Sequence, residues 1–204
     1  MDRRIQLEVT AAMVRELREA TNAGMMDCKK ALQDTAGDMD KAIDLLRKKG
    51  LAKAMKRAGK EASEGMVHAY IHGGGRLGVL LEVNCETDFA AKSEDFQEFV
   101  KNVAMHIAAA NPFGIQREDV PAEVIEREKA IYMDQARESG KPENILEKMV
   151  EGKMRKFYEE SVLMEQAYVR DPNITIQDYL NGLVAKIGEK IVIRRFCRYQ
   201  LGSE

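Results

Sequence analysis

Residues 77–92 read LGVLLEVNCETDFAAK, in which an apolar run leads into a polar segment that contains one phenylalanine. The apolar run consists of Val79, Leu80, Leu81 and Val83. Such a run is typical of a strand that is buried on both faces of a sheet. The phenylalanine, Phe89, comes directly after an acid, at a turn where its own chain offers it little to pack against. A phenylalanine at a turn has little reason to be there unless something receives its ring.

The next element begins a few residues later. Ser93 is a favourable helix N-cap, and Glu94 and Asp95 place negative charge at the positive end of the helix dipole. Residues 87–89, Thr-Asp-Phe, are called the tip below. The tip is predicted to lie between a buried strand and a capped helix, and short segments of this kind often carry binding residues.

A small sheet is predicted around this strand. Residues 65–71 are strand-like, and 72–76, HGGGR, predict a hairpin connection to 77–83. Glycines also occur in phosphate-binding loops, but no Gly-Lys-Ser/Thr follows and no helix is predicted there. The strand-like run 189–199 is predicted to pair with the hairpin, because no other strand is available. The helix 94–110 should pack on the sheet through Phe96, Phe99, Val100, Val103, Ala104 and Ile107.

Three short helical patterns occupy the first 50 residues. Thr10 is the predicted cap of the first, which ends near Gly24. The second is predicted from Met26 to Thr35, and the third begins after Asp38 and ends at Gly50. Three helices joined by short turns predict a compact bundle.

Further helices follow the sheet. Two charged helical patterns, 122–139 and 143–160, predict an antiparallel helical hairpin. Residues 169–173 are predicted as a loop, followed by a helix that Thr175 caps and Gly188 ends. The fold class is therefore α+β, with a three-helix bundle at 1–50, a basic linker helix at 51–62 and an α+β core at 63–204. The core carries the tip and the helical hairpin at about 120–160.

The region from Arg47 to Lys60 contains seven basic residues and no acidic one. One interpretation is a solvated linker helix. The other is a basic arm that binds RNA, although no aromatic residues are interleaved with the charges.

Composition favours a protein that acts on other proteins or on small ligands. The chain has 204 residues, 32 basic and 34 acidic, for a net charge of −2. No overall attraction to nucleic acid or to an anionic membrane follows from this balance. There is no signal-peptide pattern and no run of 18 apolar residues, so a cytoplasmic location is expected.

Cysteine and histidine residues, which are common metal ligands, are few and scattered along the chain. Cys28, Cys85 and Cys197 are an odd number without Cys-x-x-Cys spacing, which indicates reduced and mostly buried thiols. His68 and His72 are four residues apart, but on a strand their rings would be roughly 13 Å apart. No metal site and no cofactor are predicted.

Groups for side-chain catalysis are also few. There is no Ser-His-Asp arrangement with a nucleophile elbow and no Cys-His signature. Glu82, Glu86 and Asp88 lie near the tip, and Glu82 with Asp88 could form an acid/base pair. Nothing in the sequence predicts a pocket that would separate their pKa values. An enzyme is not predicted.

Three separated segments carry a resemblance to a known family. They are GMMDCKKAL at 24–32, NCETDF at 84–89 and GEKIVIRRF at 188–196. In this order they resemble the signature segments of translation elongation factor Ts. The resemblance covers nearly the whole chain, and residues from about 120 to 160 are its least diagnostic part.

The resemblance implies a guanine-nucleotide exchange factor that binds elongation factor Tu in its GDP-bound and nucleotide-free forms. It implies a ubiquitin-associated-like bundle that docks on the partner's GTPase domain, with Met25 and Met26 as contacts. The alternative is that these methionines fill the bundle's own core. The tip would enter near the partner's switch region and dislodge magnesium, with Asp88 and Phe89 as the wedge framed by Thr87 and Ala90.

The chain departs from the family pattern in two respects. Ala90 stands where the family usually has valine, which affects the packing beside the wedge. The length is that of the compact family members, so the stoichiometry is not implied, and a homodimer is one possible assembly.

Two other functions are compatible with parts of the sequence. An RNA-associated translation protein would use the basic region 47–60. A ubiquitin-like binding module would use the N-terminal bundle but would leave residues 63–204 without a role.

Overall fold

The computed structural model describes residues 9–21, 23–57, 59–138, 140 and 142–203. The helices are α1 (Ala11–Thr21), α2 (Met25–Asp34), α3 (Met39–Arg57), α4 (Asp88–Ala91), α5 (Glu94–Ala110), α6 (Ala122–Arg137), α7 (Glu143–Ser161) and α8 (Ile176–Ile187), with a 3-10 turn at Arg117–Asp119. The strands are β1 (Glu64–His72), β2 (Leu77–Cys85), β3 (Ala167–Tyr168), β4 (Asp171–Thr175) and β5 (Ile191–Gln200). The predicted α+β class is confirmed.

The central sheet is small and antiparallel, with the strand order β1-β2-β5. The last strand therefore pairs with the hairpin, as predicted. A second sheet, formed by β3 and β4, was not predicted. The predicted loop at 169–173 is confirmed at Val169 and Arg170, which form the turn between these strands, but was wrong for 171–173, which belong to β4. These strands are hard to recognise in the sequence, because β3 has only two residues and β4 begins with Asp-Pro-Asn, residue types that are depleted in strands.

The prediction that β2 is buried on both faces was wrong. Its residues alternate, with Val79, Leu81, Val83 and Cys85 buried, while Leu80 remains 47% exposed. An antiparallel sheet commonly packs one face on the core and leaves the other in contact with solvent. The apolar run reflects this one buried face together with one exposed leucine.

Helix α5 has the predicted bounds and the predicted cap. The amide of Phe96 donates to the Ser93 Oγ at 3.3 Å. The stripe predicted to face inward is fully buried; its members are Phe96, Phe99, Val100, Val103, Ala104 and Ile107. Because α4 and the tip directly precede this helix, the buried stripe anchors the segment that carries Phe89.

The N-terminal helices α1, α2 and α3 pack around a shared core. This core consists of Val14, Leu17, Cys28, Ala31, Leu32, Ala42 and Leu46. Both predicted caps are confirmed: the Met13 amide donates to Thr10 Oγ1 at 3.2 Å, and the Lys41 amide donates to Asp38 Oδ1 at 3.1 Å.

The third helix was predicted to end at Gly50, but α3 continues to Arg57. A glycine inside a helix costs only about 1 kcal/mol, which packing easily offsets. A Cβ at position 50 would lie 3.5 Å from the carbonyl oxygen of Asn181 in α8. This is an ordinary van der Waals distance, so the contact with α8 does not require a glycine at position 50.

Helices α6 and α7 pack together as the predicted helical hairpin. The hairpin has its own core, which consists of Val120, Ala136, Leu146, Val150, Met154, Phe157 and Val162. The predicted end of the first of these helices, Ser139, lies outside the described residues.

The chain divides into two compact units. The first comprises the described residues up to Val67, together with Glu82–Val100 and Asp178–Arg194. The second comprises His68–Leu81, Lys101–Gln177 and the described residues from Arg195 onward. In the part of the chain that the structure describes, no helix is both long and apolar enough to cross a membrane.

Candidate functional site

The tip is the beginning of a short helix. Thr87 is the N-cap of α4, and its Oγ1 accepts a hydrogen bond from the Ala90 amide at 3.3 Å. Asp88 and Phe89 lie in the first turn of that helix, so the predicted turn between strand and helix was wrong in this detail. The Ser93 hydroxyl donates to the carbonyl of Ala90 at 2.7 Å and thereby links α4 to α5.

The four residues predicted to bind a partner differ in exposure. Phe89 is 80% exposed, whereas the neighbouring Ala90 is only 5% exposed. Thr87 is exposed and Asp88 is half-buried. The Phe89 side chain therefore protrudes from the surface, while the Ala90 side chain is on the buried face of α4.

Asp88 is paired with Lys92 one turn later in the chain. The Lys92 Nζ donates to Asp88 Oδ2 at 2.7 Å. This hydrogen bond is the main reason that the pKa of Asp88 lies below its usual value and the pKa of Lys92 above its usual value. Both side chains are solvent-accessible, so the pair adds little stability, but it fixes the orientation of an ionised carboxylate beside Phe89.

Two carboxylates, those of Glu86 and Glu189, connect the base of the tip to the segment that follows α8. The Glu189 carboxylate accepts from the Thr87 amide at 3.0 Å and from the Thr87 hydroxyl at 2.7 Å. In return, Glu86 Oε1 accepts from the Lys190 amide at 2.6 Å. Two pairs of consecutive residues, Glu86 with Thr87 and Glu189 with Lys190, thus each supply one carboxylate and one backbone amide. We call Glu86, Thr87, Glu189 and Lys190 the carboxylate clamp.

The end of α3 joins this clamp. The Arg57 guanidinium donates to both carboxylate oxygens of Glu86, at 3.1 and 3.3 Å. The Lys190 Nζ donates to the carbonyl of Lys60 at 2.7 Å. Arg57 belongs to the predicted basic region 47–60, and its charge is directed at Glu86. The Glu86 carboxylate is therefore committed to structural hydrogen bonds.

Sequence reasoning identified the tip but missed its supports. Glu189 lies 102 residues from Thr87 along the chain. No local spacing rule relates residues so far apart. The only signal was that Glu189 and Lys190 belong to the third signature segment, 188–196, while Glu86 and Thr87 belong to the second, 84–89.

The thiol of Cys85 also lies at the base of the tip. Cys85 is fully buried, and its Sγ donates to the carbonyl of Thr87 at 3.1 Å. Burial, followed by the negative charge of Glu189, raises the pKa of this thiol. A buried thiol with a raised pKa is unreactive, so Cys85 acts in packing. As predicted, the three cysteines are free and mostly buried.

Met25 and Met26 form the first turn of α2 and are exposed. Their exposed fractions are 55% and 75%. The same helix packs into the bundle through Cys28, Ala31 and Leu32. The alternative that the two methionines fill the bundle's core is therefore wrong, and two flexible apolar side chains are presented at one helix end.

The other candidate residues do not form a site together. His68 and His72 lie on β1, and the His72 Nδ1 is hydrogen-bonded to the Tyr70 hydroxyl at 3.0 Å. Glu82 lies within β2, whereas Asp88 lies in α4. Over the described ranges, no group of three or more His, Cys, Asp or Glu side chains could hold a metal ion.

Comparison with known proteins shows the family to which the chain belongs. The family model described as Elongation factor TS matches residues 4–203. The chain belongs to the elongation factor Ts family. It is 77% identical to elongation factor Ts of Syntrophobacter fumaroxidans over 198 residues. The aligned region covers 97% of this chain and 99% of that protein.

More distant members of the elongation factor Ts family match over the same length. Identity to elongation factor Ts of Geobacter metallireducens is 62% over 197 residues, covering 97% of this chain and 91% of that protein. Identity to elongation factor Ts of Moorella thermoacetica is 60% over 195 residues, covering 96% of each. The chain is thus a translation elongation factor of this family.

Proposed function

We propose that this chain is a guanine-nucleotide exchange factor that binds elongation factor Tu and promotes release of GDP so that GTP can bind. The observation that carries the proposal is Phe89, an aromatic side chain 80% exposed on a helix whose base is held by hydrogen bonds. An exposed aromatic of this kind is suited to a receiving pocket on another protein. Family membership supplies the identity of the partner.

Burial of the Phe89 ring in the partner supplies energy for distorting it. Full burial of a phenylalanine contributes about 1.5–3 kcal/mol. Each 1.4 kcal/mol corresponds to about tenfold in an equilibrium constant. One ring can therefore weaken nucleotide binding by roughly ten- to a hundredfold if it fits only the distorted conformation of the GTPase.

The proposed target is the magnesium site of elongation factor Tu. Magnesium bridges the nucleotide phosphates to the GTPase, so its loss removes the largest local positive charge from the phosphate site. Asp88, held ionised by Lys92, places a negative charge next to the entering ring. The coupling is reciprocal, because a factor that weakens GDP binding is itself bound more weakly in the presence of nucleotide. Incoming GTP therefore releases the factor.

The proposed docking contact is the pair Met25 and Met26. Methionine side chains are flexible and polarisable, and they adapt to apolar grooves on partner proteins. In this proposal residues 1–50 dock on the GTPase domain, 51–62 form the connection, and 63–204 present the tip. The chain breaks no covalent bond itself and acts as a protein ligand of a GTPase, without a cofactor or a nucleic acid of its own.

The test is the release of a fluorescent GDP analogue from elongation factor Tu, followed by stopped-flow fluorescence. The parent protein is expected to accelerate release. Phe89→Ala is expected to lose acceleration by about ten- to a hundredfold, because it removes the ring and leaves the capped helix in place. The matched control is Tyr199→Ala, which removes another exposed aromatic, one on β5.

The two sites are distinguished by the concentration dependence of the rate. The variant Met25→Ala/Met26→Ala is expected to raise the half-saturating concentration and to leave the maximal rate close to that of the parent. Failure of the parent to accelerate release would refute the exchange function. Equal rates for Phe89→Ala and the parent would refute the role of the ring.

A further inference from the structure

We infer that Glu189 is a positioning residue for Phe89, and that the carboxylate clamp sets the maximal rate of exchange without contributing to docking. The inference rests on the proposed exchange function. Glu189 does not belong to the tip and comes from the segment that follows α8. Its carboxylate nevertheless binds both the backbone and the side chain of the residue that caps α4.

The Thr87 hydroxyl donates its proton to the Glu189 carboxylate. A threonine hydroxyl has one proton and two lone pairs. Because the proton is donated to Glu189 Oε1, the lone pairs are available to the Ala90 amide, which donates to Thr87 Oγ1 at 3.3 Å. Glu189 therefore orients the hydroxyl as the acceptor that a helix N-cap requires.

Helix α4 is too short to set its own direction. The helix has four residues, Asp88–Ala91, and a helix this short is not stable by itself. Its direction depends on what holds each end. The Ser93 hydroxyl holds the C-terminal end through the Ala90 carbonyl, and Thr87 with Glu189 holds the N-terminal end. Phe89 lies between these two supports.

Glu189 is held in place through its neighbour in the chain, Lys190. Lys190 is fixed by its amide on Glu86 and by its Nζ on the Lys60 carbonyl. Glu86 is held in turn by Arg57 at the end of α3. Glu189 thus directly precedes an anchored residue, and its carboxylate is presented to Thr87 from a rigid base. Loss of Glu189 leaves Phe89 exposed but removes the restraint on its direction.

A merely stabilising role and a positioning role predict different results. A stabilising residue affects unfolding and, through the fraction folded, all activities equally. A positioning residue affects the step in which the ring enters its pocket, so the maximal rate falls while the half-saturating concentration stays constant. The carboxylate clamp lies far along the chain from Met25 and Met26, which permits this separation.

The first measurement uses the free protein. Hydrogen exchange of the backbone amides of Thr87 and Ala90 is recorded by NMR for the parent and for Glu189→Ala. Exchange at both amides is expected to be about five- to tenfold faster in the variant, because the cap is lost. Protection equal to that of the parent would overturn the inference regardless of any partner.

The second measurement is the stopped-flow release of fluorescent GDP from elongation factor Tu over a range of protein concentrations. Glu189→Ala is expected to lower the maximal rate about tenfold and to leave the half-saturating concentration within about twofold. Glu189→Gln retains one oxygen acceptor and is expected to recover part of the rate. The matched control is Glu165→Ala, which removes a carboxylate that binds Arg117 in the second unit.

A double-mutant cycle completes the test. If Glu189 acts through the Thr87 hydroxyl, Thr87→Val/Glu189→Ala is expected to be no slower than the slower single variant. Full additivity, or an unchanged maximal rate in Glu189→Ala beside an active parent, would overturn the inference alone. A parent that does not accelerate release would instead refute the exchange function on which the inference rests.

Discussion

Thr87 determines, through one hydroxyl group, how an exposed phenylalanine is presented. The hydroxyl donates to Glu189 and accepts from the Ala90 amide, so it joins a distant carboxylate to the first turn of α4. The sequence predicted the tip, because the isolated aromatic Phe89 and the helix cap Ser93 are recognisable from the neighbouring residues. Glu189 could not be predicted, since a contact over 102 residues leaves no local spacing.

A second residue with a defined protonation state is His106 in α5. It is fully buried, its Nε2 faces Gln166 Oε1 at 2.9 Å, and its Nδ1 accepts from the Val169 amide at 3.3 Å. An amide only donates, so Nδ1 must be unprotonated and Nε2 carries the proton. Burial lowers the pKa of His106, and the hydrogen bond to Gln166 only partly opposes this. The folded protein therefore holds a neutral imidazole.

This geometry predicts a stability that falls on acidification. In the unfolded chain His106 binds a proton below its usual pKa of about 6.5, whereas the folded protein resists protonation. The unfolded state then holds more protons, so the free energy of unfolding decreases as the pH falls below about 6.5, until the lower folded-state pKa is reached. Urea unfolding between about pH 5 and 7.5 measures this slope.

Two variants test the assignment of that slope. His106→Asn is expected to be less stable at every pH but to show a flatter dependence in this window. His72→Gln, which removes an exposed histidine on β1, is the matched control for the loss of a histidine. A slope that persists unchanged in His106→Asn would contradict the account.

At the scale of elements, periodicity and capping predicted most of the fold. The helix α5 and the hairpin of β1 and β2 followed from strong local patterns, and the pairing of β5 was inferred because no other strand was predicted. The misses have physical reasons in each case. Tertiary packing carries α3 past Gly50, and β4 forms despite a sequence that disfavours strands. Helix α4 is too short to produce a periodic pattern.

One glycine in β1 is required by the close approach of the neighbouring strand. Gly65 has φ +142°, and a Cβ there would lie 2.1 Å from the Val83 carbonyl oxygen and 2.7 Å from Asn84 Cα. Both contacts are to backbone, which cannot rotate away. This contact lies directly before Cys85 and the base of the tip, so Gly65 fixes the strand from which the tip emerges.

Gly65→Ala is therefore expected to lower the free energy of unfolding by about 2 kcal/mol or more, from strain together with the displaced backbone. Gly152→Ala is the matched control, because position 152 lies within α7, has open space around it and needs no unusual φ. It is expected to raise stability by about 0.5–1 kcal/mol. Chemical denaturation measures both, and a Gly65→Ala variant as stable as the parent would refute the packing argument.

At the scale of the whole molecule, the first compact unit contains both candidate contact regions. Its residues include Met25 and Met26 at one helix end and the tip at another. The family signature predicted both regions, and the structure adds that all six side chains except Ala90 and Asp88 are well exposed. Which partner surface each region meets depends on a second molecule, so no property of this chain alone determines it.

The most direct test of the account is the magnesium dependence of the Phe89 effect. Release of fluorescent GDP from elongation factor Tu is measured with saturating parent protein or Phe89→Ala, in magnesium and again in excess EDTA. Phe89→Ala is expected to be about tenfold or more slower than the parent in magnesium, and most of this difference is expected to disappear once EDTA has removed the ion. An equal deficit in both conditions would contradict the claim that Phe89 acts by dislodging magnesium.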